Sequence, residues 1–218
     1  SNWQDTVVVD PTGQSNTNFV VATVSEDNGP FRAPPGVEPY QDTRNNVTES
    51  QSGLMLKFSN LRSRDTCLAT KDLITVERYS GYRTLEMYVH GGDKIDQDSV
   101  QMFFRLGEND SVFYEYHSVV PVRSGWDPGN YVKIDFNDIT ALKDSAQRNL
   151  SEGKTYNDVD VSSGNYRVRG DPNINEILYF AVGVVNPNPE KEVSGDIWLD
   201  ELRVTNVRKD VGTAGRIS

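Results

Sequence analysis

The chain is 218 residues long and carries 22 Lys and Arg against 32 Asp and Glu, a formal net charge of −10. That length suits one all-β domain with embellishments and a core that needs no covalent staples, while the acidic balance argues against phosphate backbones and anionic lipid heads, which need a basic face. A single cysteine, Cys67, excludes an internal disulfide framework, and the two histidines, His90 and His117, are too few for a three-histidine zinc site.

In chain order, the first fifty residues hold two strand signals, Val7-Val8-Val9 and residues 19–24. Residues 30–39 follow, a proline-rich stretch expected to run extended over the surface because each proline fixes φ and removes a donor. From there the apolar pattern has mostly period two. Leu54, Leu56 and Phe58 share a face, as do Leu85, Met87 and Val89. Val100, Met102, Phe104 and Leu106 form a third such row, and Val132, Ile134 and Phe136 a fourth. Such alternation predicts half-buried antiparallel strands. Residues 177–185 are apolar on both sides and predict a central strand, and residues 197–204 predict the last one. Clusters of Gly, Asn, Asp and Pro at 91–93, 107–110, 126–129 and 186–189 mark turns. Ile139, Leu142, Ala146 and Leu150 break the pattern with helical spacing, so a short helix is expected at about 138–150, capped by Asp138, with a polar loop at 151–165. The fold class is therefore all-β, an antiparallel β-sandwich of jelly-roll type with one short helix insertion. Its parts are an extended segment with edge strands at 1–50, a sandwich core at 51–205 and a linker at 206–218. No apolar run is long enough for a membrane helix, and no signal core opens the chain. Ser1 and the glycine-containing tail at 212–218 make it read as a piece of something larger, with any targeting signal outside it.

Several segments, in order, are similar to the SprA/Sov family of giant bacterial cell-surface proteins. They are Arg32-Ala33-Pro34-Pro35-Gly36-Val37 with Glu49-Ser50-Gln51-Ser52-Gly53-Leu54, residues 82–91, Phe104-Arg105-Leu106-Gly107 with Tyr114-Glu115-Tyr116, Val132 to Lys143, and residues 195–204. Asp200 and Asp171 stand where that family usually has asparagine. The resemblance implies a soluble, non-catalytic sandwich set into a large outer-membrane β-barrel protein of gliding and type 9 secretion. Its partners would be the remainder of that protein and its accessory proteins, and its place the periplasmic or cell-surface side of the outer membrane.

Candidate chemistry is sparse. Cys67 has no histidine near it in sequence and reads as a small buried hydrophobe rather than a nucleophile. Asp200 and Glu201 alternate to opposite faces of a strand, so no carboxylate pair stands out for hydrolysis. No cofactor is required. Asp93, Asp96 and Asp98, with Asp200 on the last strand, offer oxygen ligands that would suit calcium, without EF-hand spacing and against the commoner reading of a solvated acidic surface. If Leu85, Met87 and Val89 face the core, Tyr88 and His90 face outward. Phe103 and Arg105 do so on the following strand, and either the pair Tyr114 and Tyr116 or the pair Glu115 and His117 joins them. If those strands pair as neighbours, Tyr88, His90, Phe103, Arg105 and Tyr116 form one surface for a partner protein or a sugar ring. Asn46, Asn109 and Asn149 open glycan-acceptor patterns that read as chance matches in a bacterial chain. The leading function is a structural and interaction module; the alternative is a jelly-roll carbohydrate-binding module, with calcium as a stabiliser, that takes a polysaccharide.

Overall fold

The computed structural model describes residues 3–8, 16–27, 29–37, 41–42, 47–48, 51–93, 95 and 100–207. The strands are β1 Gln4–Val8, β2 Asn18–Ser25, β3 Gln41–Asp42, β4 Val47–Thr48, β5 Ser52–Leu61, β6 Thr66–Glu77, β7 Tyr82–Gly91, β8 Gln101–Asn109, β9 Val112–His117, β10 Val132–Asp135, β11 Asp160–Ser163, β12 Tyr166–Arg169, β13 Ile177–Val185 and β14 Val193–Val207. One helix, α1 Phe136–Arg148, sits between β10 and β11.

Two antiparallel sheets stack face to face. One has seven strands in the order β1-β6-β13-β8-β9-β12-β11, the other five in the order β10-β7-β14-β5-β2, and β3 pairs with β4 apart from them. Consecutive strands cross repeatedly between sheets, β5 to β6, β6 to β7, β7 to β8 and β13 to β14, giving an antiparallel β-sandwich of jelly-roll type. Alternation explains the core. Leu56, Phe58, Leu85, Met87, Val89, Ile197 and Leu199 of the five-stranded sheet meet Met102, Phe104, Leu106, Tyr114, Phe180, Val182 and Val184 of the other. Cys67 lies among them, fully buried, with burial and then the Asp65 charge pushing its thiol up to about 12. It packs as a hydrophobe.

Four expectations need correction. The helix starts two residues earlier than Asp138, because Asp135 caps it by accepting from the Asn137 amide at 2.8 Å. The stretch expected as a polar loop contains β11 and continues into β12, which extend the larger sheet beyond β9. The proline-rich stretch does not simply cross the surface: Phe31 is fully buried and Pro34 is buried too. Finally, β7 and β8 do not pair. β7 lies between β10 and β14, and β8 between β13 and β9, because the loop joining them crosses from one sheet to the other. The tail beyond Val207 lies outside the described residues.

One buried amide ties the loops at one end. Asn186, with no exposed surface, donates through Nδ2 to Leu61 O and Lys191 O at 2.9 and 2.7 Å, and its Oδ1 accepts from the Asn188 amide at 3.0 Å. Its backbone also exchanges hydrogen bonds with the β5–β6 turn at Arg64 and Asp65. Asn186→Leu leaves two carbonyls and one amide without that partner inside the protein. A loss of about 2 kcal/mol or more is expected, measured as the shift in urea-unfolding free energy with an unchanged m-value.

Candidate functional site

The outward face of the five-stranded sheet carries a row of side chains in register, Ala22, Met55, Trp198 and His90, from β2, β5, β14 and β7. His90 stacks flat on Trp198, with ring centroids 4.2 Å apart and planes 7° from parallel. A loop before β10 brings Trp126 above them, 4.9 Å from His90 and edge-on to it. Phe31 closes the far side, 5.9 Å from Trp198 and 6.2 Å from Trp126. Val24, Phe31 and Trp198 form a small apolar cluster outside the main core, with Met55 and Trp126 packed on it. Two glycines admit these rings. A Cβ on Gly53 would sit 2.9 Å from the Phe31 ring and 2.8 Å from Leu199 O. On Gly91 a Cβ would lie 2.2 Å from Arg123 O, so only glycine lets the Trp126 loop dock on β7.

That loop is held rigidly. Gly91 and Gly125 exchange backbone hydrogen bonds at 3.1 and 2.7 Å, with Gly125 at a φ of 74°. Buried Asn130 accepts from the Arg123 amide at 2.8 Å and donates to Arg123 O at 2.7 Å. Trp126 Nε1 donates to Arg32 O at 2.9 Å, tying the loop to the amino-terminal segment.

The result is a cleft of about 810 Å³ with an aromatic floor and a polar rim that includes Arg32, Lys57, Asp93 and Asp196. Burial lowers the His90 pKa from its ordinary value, while the Asp196 and then the Asp93 charge work the other way. His90 Nδ1 and Trp198 Nε1 are buried and make no hydrogen bond. Further along the same face, Tyr88 lies edge-on to Trp126 at 6.5 Å and to Tyr131 at 5.0 Å. The Tyr131 hydroxyl donates to Glu86 Oε2 at 2.7 Å. Burial raises the Glu86 carboxyl, but hydrogen bonds from Tyr131 and Thr84 and the Lys133 charge outweigh it, and the pKa falls below the ordinary carboxylate value.

The sequence-predicted residues divide between three places. Tyr88 and His90 belong to this face. Phe103 and Arg105 lie on the outward face of the other sheet. There the Arg105 guanidinium sits between the Phe103 and Phe113 rings, at 4.6 and 4.4 Å, and bonds Glu115 at 2.6 Å. Phe103 itself is buried beneath that layer. Tyr116 turns with Tyr114 toward the core side, leaving Glu115 and His117 on the Arg105 face. The five residues thus do not make one patch.

Of the oxygen ligands, Asp93 stands at the cleft rim, and Asp96 and Asp98 lie outside the described residues. Asp200 pairs in register with Tyr88, four residues along β14 from Asp196, roughly 13 Å at strand rise. Among the described residues no group of three His, Cys, Asp or Glu side chains could hold a metal ion. Sequence reasoning missed Trp126, Trp198 and Phe31. Trp198 was within reach: Ile197 and Leu199 face inward, so its parity points outward.

No family model matches the chain, and no curated protein matches it. Solved structures with a similar fold include the family 11 carbohydrate-binding module of cellulosomal cellulase Lic26A-Cel5E of Clostridium thermocellum, at 10% identity and a TM-score of 0.49, over 97% of this chain and 91% of that one. A family 11 module from Clostridium thermocellum in complex with a β-1,3-1,4-mixed-linked tetrasaccharide is 11% identical, with a TM-score of 0.48 over 94% and 89%. An exo-β-agarase is 14% identical, with a TM-score of 0.44 over 91% of this chain and 24% of that one. At these identities and TM-scores the likeness carries nothing about a ligand.

His90 sets a pH dependence. Its folded pKa lies below the ordinary value of about 6.5. The unfolded chain therefore takes up the proton first as pH falls, and stability drops between that value and the lower folded one. His90→Phe keeps a ring on Trp198 and removes the titration. Urea midpoints from pH 7 to pH 5 should fall more steeply for the native protein than for the variant.

Proposed function

We propose that this chain is a non-catalytic recognition module that binds a polysaccharide in the cleft on its five-stranded sheet. The observation that carries the reading is the cleft itself: Trp126 and the His90–Trp198 stack line it, and charged side chains ring it. Sugar rings present apolar C–H faces and polar hydroxyl edges, so they want this combination of aromatic platform and hydrogen-bonding rim. Backbone clamps fix the Trp126 loop before any ligand arrives, which spares the ordering cost of binding. The one thiol, Cys67, lies away from the cleft, buried in the core and protonated at neutral pH.

Affinity electrophoresis tests this with gels containing soluble β-glucan, xylan, mannan or agarose. At least one should retard the protein. Trp126→Ala should weaken that binding roughly 30-fold, the loss of an aromatic anchor of about 2 kcal/mol, while a cooperative melt, lowered by the lost Phe31 and Arg32 contacts, shows that the variant is still folded. Equal mobility in every gel, or full retention of the variant, refutes the reading.

A second reading concerns the protein around the module. The segments that resemble SprA/Sov proteins form β7, the β8–β9 hairpin, β10 with the start of α1, and β14 here, and they include Arg32, His90, Asp196 and Trp198 of the cleft, so the resemblance covers scaffold and cleft alike. It supports a sandwich carried by a large outer-membrane protein of a bacterium, and it leaves the cleft open to a glycan or to an extended segment of a partner protein. Cell fractionation of the whole protein tests it: recovery with the outer membrane supports it, and recovery in the cytoplasm sinks it.

A further inference from the structure

The aromatic surface does not stop at the cleft. From Trp126 it passes to Tyr88 and then Tyr131, with ring centroids 6.5 and 5.0 Å apart, along one face of the sheet. Tyr131 also lines a second depression, a groove at the open edge of the sandwich whose walls include Tyr116, Lys133, Ala141, Leu142 and Tyr166. The groove lies between β10, the first turns of α1 and the β11–β12 hairpin. Its walls repeat the chemistry of the cleft. Tyr116 and Tyr166 are half-buried rings 6.4 Å apart, and the Lys133 ammonium and the Asp138 carboxylate supply charge at the mouth.

The groove is also well supported from below. The Asp135 amide donates to the Tyr166 hydroxyl at 3.0 Å, and the Tyr131 hydroxyl is engaged by Glu86, so two of its rings are fixed before a ligand arrives. Glu86 in turn lies 3.7 Å from both Lys133 Nζ and Arg203 Nη2. Rings steadied in this way offer stacking area at small entropic cost.

We infer that cleft and groove are two ends of one track, joined by Tyr88 and Tyr131, and that the ligand is an extended glycan chain lying across both. The inference rests on the polysaccharide reading of the cleft. A single sugar can occupy the cleft alone; only an oligomer reaches the groove. Affinity therefore rises with chain length until the groove is filled, because a second set of contacts on a tethered ligand adds without a new loss of translational freedom.

The test uses the polysaccharide that retards the protein and size-fractionated oligosaccharides from its partial hydrolysis, titrated calorimetrically. Ala141→Trp plugs the groove from an exposed helix position, and Tyr131→Ala breaks the junction. In both variants long fragments should bind about tenfold more weakly, falling to the affinity of the short ones, while the shortest binding fragment keeps its native affinity. Thermal melts check that each variant is folded. If long fragments bind Ala141→Trp as they bind the native protein, the groove is not part of the track, although the cleft still stands. If Trp126→Ala loses nothing for any fragment, the cleft reading itself is wrong.

Discussion

The contact between Gly91 and Gly125 decides what the outward face of the five-stranded sheet can be. β7 ends there, and the loop from Arg123 to Trp126 lies so close to it that a methyl group on Gly91 would meet Arg123 O at 2.2 Å. Two backbone hydrogen bonds between the glycines and a clamp from Asn130 then fix the loop. Trp126 stands over His90 because of this approach, and Phe31 packs against Trp126 and Trp198 from the other side. Push the loop away and the rings lose their common cleft, although every strand of the sandwich could still pair.

The two outward faces answer the same problem differently. A sandwich this broad buries residues on the outer side of its central strands as well as on the inner side. On the larger sheet Leu68, Phe103, Tyr179 and Ala181 form an outer apolar layer. Arg105 lies across the Phe103 and Phe113 rings and is anchored by Glu115, so its stem shields carbon while its charge stays paired. That face covers its carbon with its own side chains and keeps a depression of about 390 Å³ beside Arg105, Glu115 and His117, smaller than the cleft. The smaller sheet covers its outer carbon with aromatic rings from loops, and loops leave gaps between them. A smaller depression and a larger cleft follow from which residues lie over otherwise similar strands.

This difference also explains what could be read from sequence. Strands with one wet face announce themselves by alternation, as in β5 and β10. The run 177–185 was recognisable as central because both its faces are apolar. β6 was not, since Cys67, Leu68 and Ala69 are buried in succession while Ile74 and Val76 further along are exposed, so no alternation runs along it. β11 and β12 escaped because each is four residues long and they give the core only Val161, Tyr166 and Val168, too short a run to show a period; their pairing is held at an edge, with Arg167 bonding Asp160 twice at 2.8 Å. In the cleft, parity marked Tyr88 and His90 as outward. It could not say which strands are neighbours, and so it joined β7 to β8 across what is in fact the thickness of the sandwich. Trp126 and Phe31 lie in turns and proline-rich sequence, where no periodicity assigns a face.

The polar rim narrows what the cleft can hold. Among the described residues, Arg32 and Lys57 line it together with Asp93 and Asp196, two cations and two anions, so these side chains contribute no net charge. The protein as a whole carries −10, a field that repels polyanions approaching at low ionic strength. A uronic acid polymer would meet that field with no net attraction at the rim to offset it. A neutral chain of hydroxyls avoids that penalty, and it can donate to Asp93 and Asp196 while accepting from Arg32 and Lys57. The electrostatics therefore favour an uncharged glycan over an acidic one, independently of the aromatic floor that favours sugar rings at all.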